Sequence, residues 1–259
     1  NVPRLDYSDG GCPSLLLEPT ATNLIVQSED FSNASWTKSS SSVTSGFSSP
    51  SGDTSAFKLV EDTSNSSHRI FDLVGGDAPQ EYTVSVFAKK LSGDRYLQLQ
   101  TGNDISGSIF ARYDLDNGTL IHDVTLAGSG YSAGNASIED YGNGWFRCIM
   151  SGSKTTFTGN NVVKINLSNT TSALETNTYT GNGTSGVYIY GAQFEQNSYA
   201  TSYIKTVGTA QTRVSDTANG SGDASTFNDS EGVLMVEMSA LDNDGTVRRI
   251  NITDGGFNN

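Results

Sequence analysis

The sequence predicts an all-β protein, arranged as a sandwich or jelly roll, and three observations carry that prediction. Helical periodicity is close to absent, while apolar and polar residues alternate with period 2 along most of the chain, as in "EYTVSVFAKK" (81–90). Turn-forming triplets recur between the alternating segments. Asp116-Asn117-Gly118 and Gly142-Asn143-Gly144 supply the positive-φ positions that tight hairpins require. Strands follow one another without the long crossovers of a βαβ rhythm.

Taken in chain order, residues 1–20 read as an extended N-terminal arm whose apolar run, Leu15–Leu17, lies between Pro13 and Pro19. Such an arm docks along a sandwich or passes between subunits. The sandwich itself is predicted over 21–206. Its strands are Asn23–Gln27, Ala56–Glu61, Arg69–Leu73, Tyr82–Lys89, Tyr96–Gln100, Ile109–Leu115, Leu120–Val124, Trp145–Ser151, Val162–Leu167 and Val187–Glu195. A linker is predicted over 207–230, where "SDTANGSGDASTFN" (215–228) is small, polar and Gly-containing. Residues 231–259 give two alternating strands, the first Val233–Met238, around an Asp242-Asn243-Asp244-Gly245 turn. Two strands cannot build an independent core, so this reads as the opening hairpin of an incomplete second β-domain.

The bulk numbers bound the function. The chain has 259 residues, enough for a real core, and 11 Tyr plus 11 Phe recur mostly inside the alternating segments, which argues against disorder. A formal charge of -13 argues against nucleic acid and anionic membrane as partners, and no apolar run reaches membrane-spanning length. There are two cysteines, Cys12 and Cys148; a disulfide and two buried thiols both fit, so the compartment stays open.

Four stretches carry a family resemblance: "PRLDYSDGGCPSLLLEPTATNLIVQSEDFSNASWTK" (3–38), "EYTVSVFAKK" (81–90), "DYGNGWFRC" (140–148) and "VYIYGAQFEQNSYATSYIKT" (187–206). In this order they resemble a jelly-roll domain of bacteriophage tail and head-fibre proteins, itself similar to the family-4/9 carbohydrate-binding modules. The segment after Glu231 resembles the first strands of a laminin-G/concanavalin-like domain. The resemblance implies a jelly-roll β-sandwich of two antiparallel sheets with a concave, glycan-binding face. It also implies a non-catalytic role in a virion fibre, extracellular, acting on a host or environmental polysaccharide, with a homo-oligomer, such as a trimer, as the assembly. Two alternatives stand beside it: a purely structural or oligomerisation segment of a fibre, and an accessory module of a polysaccharide-degrading hydrolase or lyase.

Motifs for catalysis are weak. Gly130-Tyr131-Ser132-Ala133-Gly134 matches G-x-S-x-G, but that elbow needs a strand-to-helix turn with acid and His partners, and only His68 and His122 exist. Gly181–Gly186 matches G-x-G-x-x-G but leads into a strand, with no helix N-terminus for a pyrophosphate. Glycosidase chemistry needs two carboxylates at a set separation, which a sequence does not measure. Scattered Cys and His give no zinc spacing. No cofactor is required; calcium is the metal that the oxygen-rich composition would suit, with Asp53, Glu61 and Asp62, or Asp242 and Asp244, as candidate ligands against the plain reading of solvated turns.

The remaining signal is the outward face of the strands. Alternation sends Val84, Val86, Ala88, Leu97, Leu99, Ala111, Tyr113, Leu115, Val163, Ile165 and Leu167 into the core. The opposite set is Phe87, Lys89, Tyr96, Gln98, Gln100, Phe110, Arg112, Lys164 and Asn166. If the resemblance places these four strands in one concave sheet, that set forms a glycan face of aromatic rings, amides and cations, suited to an anionic polysaccharide. The same residues also fit a subunit contact or plain surface. Trp36 and Trp145 read as packing residues. Gln193 and Glu195 read as hydrogen-bonding partners of turns or of the arm, and Gly191 as a bulge or a close backbone approach.

Overall fold

The computed structural model describes residues 4–6, 14–76, 78–103, 107–155, 161–217 and 238–239. The chain divides into two units, Asn1–Ser221 and Gly222–Asn259, and the architecture below belongs to the first. The predicted second hairpin and Cys12 lie outside the described residues.

The described strands run in chain order as β1 (Arg4–Asp6), β2 (Ser14–Leu16), β3 (Ala21–Asn23), β4 (Thr37–Ser39), β5 (Ser41–Phe47) and β6 (Ala56–Glu61). They continue as β7 (Asn65–Ser66), β8 (Arg69–Val74), β9 (Glu81–Ser92), β10 (Tyr96–Asn103), β11 (Gly107–Asp114) and β12 (Thr119–Gly128). The last are β13 (Tyr131–Asp140), β14 (Trp145–Lys154), β15 (Asn161–Ser168), β16 (Tyr179–Thr180), β17 (Gly186–Glu195) and β18 (Gln211–Arg213). Two six-stranded antiparallel sheets form the sandwich, in the orders β12-β11-β10-β15-β8-β4 and β13-β14-β9-β17-β6-β5.

Alternation builds the core as expected. Val84, Val86 and Ala88 of β9 face Leu97, Leu99, Ala111, Tyr113, Val163, Ile165 and Leu167 of the other sheet in one buried cluster. Phe31, Trp36, Phe57, Tyr82, Ile189 and Phe194 are among the larger side chains that join it. Both predicted turns are present: Gly118 has φ 63°, and Gly142, Asn143 and Gly144 have φ 76°, 53° and 76°. Asp114 caps the first by accepting the Asp116 amide at 2.8 Å.

Two segments differ from the sequence reading. The arm folds back on itself, with β1 pairing β2 from Arg4↔Leu16 to Asp6↔Ser14. The linker does not start at 207: Val207 bridges Gln27, β18 pairs β3, and the Asp216 amide donates to the Glu18 carbonyl at 2.9 Å. Backbone pairing needs no apolar side chains, so a polar composition did not reveal it. The edge strands β4, β5 and β13 were missed because their small and polar sequences alternate weakly. Cys148 is a free, fully buried thiol.

Candidate functional site

The nine residues of the predicted face do not form one surface. Tyr96, Gln98, Gln100, Phe110, Arg112, Lys164 and Asn166 lie on β10, β11 and β15 of one sheet. Phe87 and Lys89 lie on β9, in the other sheet. Alternation fixes which way a side chain points within a strand but carries no information on which sheet the strand joins.

Nor is the first of these faces open. A strap of chain, 169–178, lies across it, and its polar groups dock on the residues proposed to hold a sugar. The Arg112 guanidinium donates to the carbonyls of Thr170 at 2.9 Å and Leu174 at 3.1 Å, and also to those of Ser172 and the Gln98 side chain. Gln98 Nε2 donates to the Glu175 carbonyl at 2.8 Å; Gln100 Nε2 reaches the Glu175 carboxylate at 3.1 Å, and Ser108 Oγ binds it too. Arg112 is therefore wholly buried, and Gln98, Gln100, Phe110, Lys164 and Asn166 are buried with it. Burial without a carboxylate partner pulls the Arg112 pKa down. Tyr96 stays half-buried at the strand end, lining a small polar cavity of about 150 Å³ with Lys90, Asp94, Arg95, Asp114, Asp116 and Asn117.

The second sheet presents a different outer face. One half of it is sealed by the returning segment 197–206. Thr83 Oγ1 donates to the Asn197 carbonyl at 2.7 Å, Arg147 Nη2 to the Thr201 carbonyl at 2.7 Å, and the Ile204 amide to Gln193 Oε1 at 2.6 Å. Glu195 accepts from the Thr201 amide at 3.1 Å, its Oγ1 at 2.5 Å, and Gln193 Nε2 at 2.7 Å. Gln193 and Glu195 thus hold a turn, as the sequence suggested. Burial, outweighing these hydrogen bonds and nearby Arg147, raises the Glu195 pKa.

The other half carries a continuous row. Register partners across five neighbouring strands are Thr44 (β5), Lys58 (β6), Tyr188 (β17), Lys89 (β9) and Trp145 (β14). Their neighbours in sequence, Phe57, Leu59, Val187, Ile189 and Ala88, point into the core, so the row faces away from it. Thr44 is exposed; Lys58, Tyr188 and Lys89 are half-buried; Trp145 is buried at the far end. Phe47 joins the row with its ring centroid 5.1 Å from that of Tyr188, and Lys58 Nζ stands 5.7 Å over the Phe47 ring. Lys89 Nζ is held by the Asn143 carbonyl at 2.6 Å. Beside the row, Phe87 contacts the rings of Tyr141, Tyr190 and Tyr203 at 4.8, 5.8 and 5.9 Å. Phe87 and Lys89 were read from the sequence; Lys58 and Tyr188 were not, although period-2 alternation in 56–61 and 187–195 places them outward, and Phe47 was not because its strand, β5, was missed.

The remaining sequence candidates are placed as follows. Glu61 is buried and committed to Arg95, Tyr179 and the Asn182 amide. Asp53 and Asp62 each hold serines of their own turns, Ser55 and Ser64, at 2.9 Å from the backbone amide. These three do not share a cation site, and no cluster of three or more His, Cys, Asp or Glu suited to a metal occurs among the described residues. The G-x-S-x-G stretch opens β13, an edge strand, and 181–186 leads into β17, so neither sits at a helix. Trp36 and Trp145 are both buried.

No protein-family model matches this chain, and no curated protein matches it either.

Proposed function

We propose that the sandwich is a non-catalytic glycan-binding module of a phage virion fibre, and that it holds a host or environmental polysaccharide on the outer row of β5, β6, β17, β9 and β14. The observation that carries this reading is the row itself. Tyr188 lies between Lys58 and Lys89 on a half-open sheet face, with the Phe47 ring from the edge strand β5 packed against its own. Sugar rings stack their C–H faces on aromatic rings, and their hydroxyls accept from ammonium groups; rings fixed on strands lose little entropy on binding. The family resemblance supports a glycan as ligand and a fibre as setting. It does not support the position, since the face it favours is filled by the strap.

Affinity electrophoresis through gels containing single polysaccharides tests the reading. Wild type should be retarded by at least one, and Tyr188→Ala should run as in a blank gel. Release of reducing ends or unsaturated sugars from the retarding glycan would overturn the non-catalytic role.

A structural role has one specific observation in its favour. Leu5, Leu15 and Leu17 are about half exposed on or beside the β1–β2 hairpin, and a two-stranded hairpin is marginal without a partner. A stable trimer by light scattering, with no retention on any polysaccharide, would favour the fibre-assembly reading.

A further inference from the structure

The row also specifies a class of glycan, an inference that rests on the reading above. Lys58 and Lys89 are both register partners of Tyr188, one on each neighbouring strand. Their backbones therefore stand two strand spacings apart, about 10 Å. That is also the length of one disaccharide unit in an extended pyranose chain. A chain running across the strands would place one sugar over Tyr188 and bring equivalent positions of successive disaccharides to the two lysines.

The charges on the row are unbalanced. Lys90, Arg95, Lys205 and Arg213 are paired with Asp116, Glu61, Glu29 and Glu18. Among the described residues Lys58 and Lys89 have no carboxylate partner; one faces a ring and the other a carbonyl. In a chain of charge -13, two ammonium groups on one face with no carboxylate partner among the described residues leave a local excess of positive charge. Their donors can be satisfied by anionic groups on a ligand, which form stronger hydrogen bonds than sugar hydroxyls do. We infer that the row binds an anionic polysaccharide carrying one carboxylate per disaccharide, lying across the strands with its acids on Lys58 and Lys89 and an intervening sugar on Tyr188.

The test uses three chains in affinity electrophoresis and titration: hyaluronan, with one carboxylate per disaccharide; polygalacturonate, with one on every residue; and hydroxyethyl cellulose, with none. The full chain should bind hyaluronan most tightly and lose retention as NaCl is raised. Lys58→Gln and Lys89→Gln keep much of the aliphatic stem, so folding should be preserved and is checked by thermal melting. Each should weaken hyaluronan binding about tenfold. Tyr188→Ala should abolish it. Retention on hydroxyethyl cellulose that is lost in Tyr188→Ala but unchanged in both lysine variants would overturn this inference and leave the glycan-binding reading standing. Polygalacturonate bound more tightly than hyaluronan would overturn the spacing argument. Wild type retarded by none of the three, nor by any other polysaccharide, would overturn both.

Discussion

Arg95 closes a two-pronged ion pair on Glu61, with Nε and Nη2 at 2.6 and 2.7 Å from its two carboxylate oxygens. The Tyr179 hydroxyl at 2.7 Å and the Asn182 amide at 2.8 Å complete the set, and Glu61 is buried. The pair ties the end of β6 to the start of β10, in the opposite sheet, and to the loop before β17. Burial alone would raise the Glu61 pKa; the hydrogen bonds from Arg95, Asn182 and Tyr179 outweigh it and hold the carboxyl below the usual range.

Arg95→Ala should therefore destabilise the fold at pH 7 by about 3 kcal/mol, because it leaves a buried carboxylate without its cation. The pH dependence has a definite sign. In wild type the lowered pKa contributes stability above the unfolded Glu value, and that contribution is lost as pH falls through the folded value. In the variant, burial without Arg95 favours the protonated acid. The difference between the two proteins should shrink as pH drops below about 4. Urea denaturation across pH 3–7 measures it.

Asp72 has the opposite sign. It lies between Ile70 and Val74 on the core side of β8, is buried, and its Oδ2 has no hydrogen-bond partner. Burial, opposed only by the Leu73 amide, raises its pKa to about 6. The folded state thus binds this proton more tightly than the unfolded chain. Stability from this group is fully present below about pH 4 and declines as pH rises through 6. Asp72→Asn should remove that slope and stabilise the protein at pH 7 by on the order of 2 kcal/mol, with little change at pH 4.

Arg112 is committed to the strap, whose carbonyls it collects. Arg112→Ala should release 169–178 from the sheet, exposing it to limited proteolysis and lowering the melting temperature. Arg112→Lys should not restore protection, since a single ammonium lacks the planar fork that reaches several acceptors at once. Glycan retention should persist in any Arg112 variant that remains folded.

What the sequence made legible follows from local physics. Alternation identified every core residue assigned in β9, β10, β11 and β15. The residues Gly142-Asn143-Gly144 announced their hairpin. The bulge at Gly191 was announced by its glycine: φ is 59°, the register shifts between Tyr190 and Gln193, and an added Cβ would stand 3.0 Å from the Phe87 ring. The site was only half legible. Phe87 and Lys89 were read as outward, which they are, but sheet partners are set by long-range pairing. Tyr188 meets Lys89 across about a hundred residues of chain, and nothing local in "GVYIYGAQFE" names that partner. The strap was illegible for a related reason. Its Asn, Thr, Ser and Ala residues read as a solvated loop, and its attachment comes from the backbone carbonyls that Arg112 collects.

We propose that the half-open row on β6, β17 and β9, and not the strapped face of β10, β11 and β15, holds the glycan. One measurement separates the two: affinity electrophoresis of Tyr188→Ala and Tyr96→Ala side by side in the polysaccharide gel that retards wild type. Tyr188→Ala should lose its retardation while Tyr96→Ala keeps it. Retardation lost in Tyr96→Ala and kept in Tyr188→Ala, with both variants melting like wild type, would contradict it.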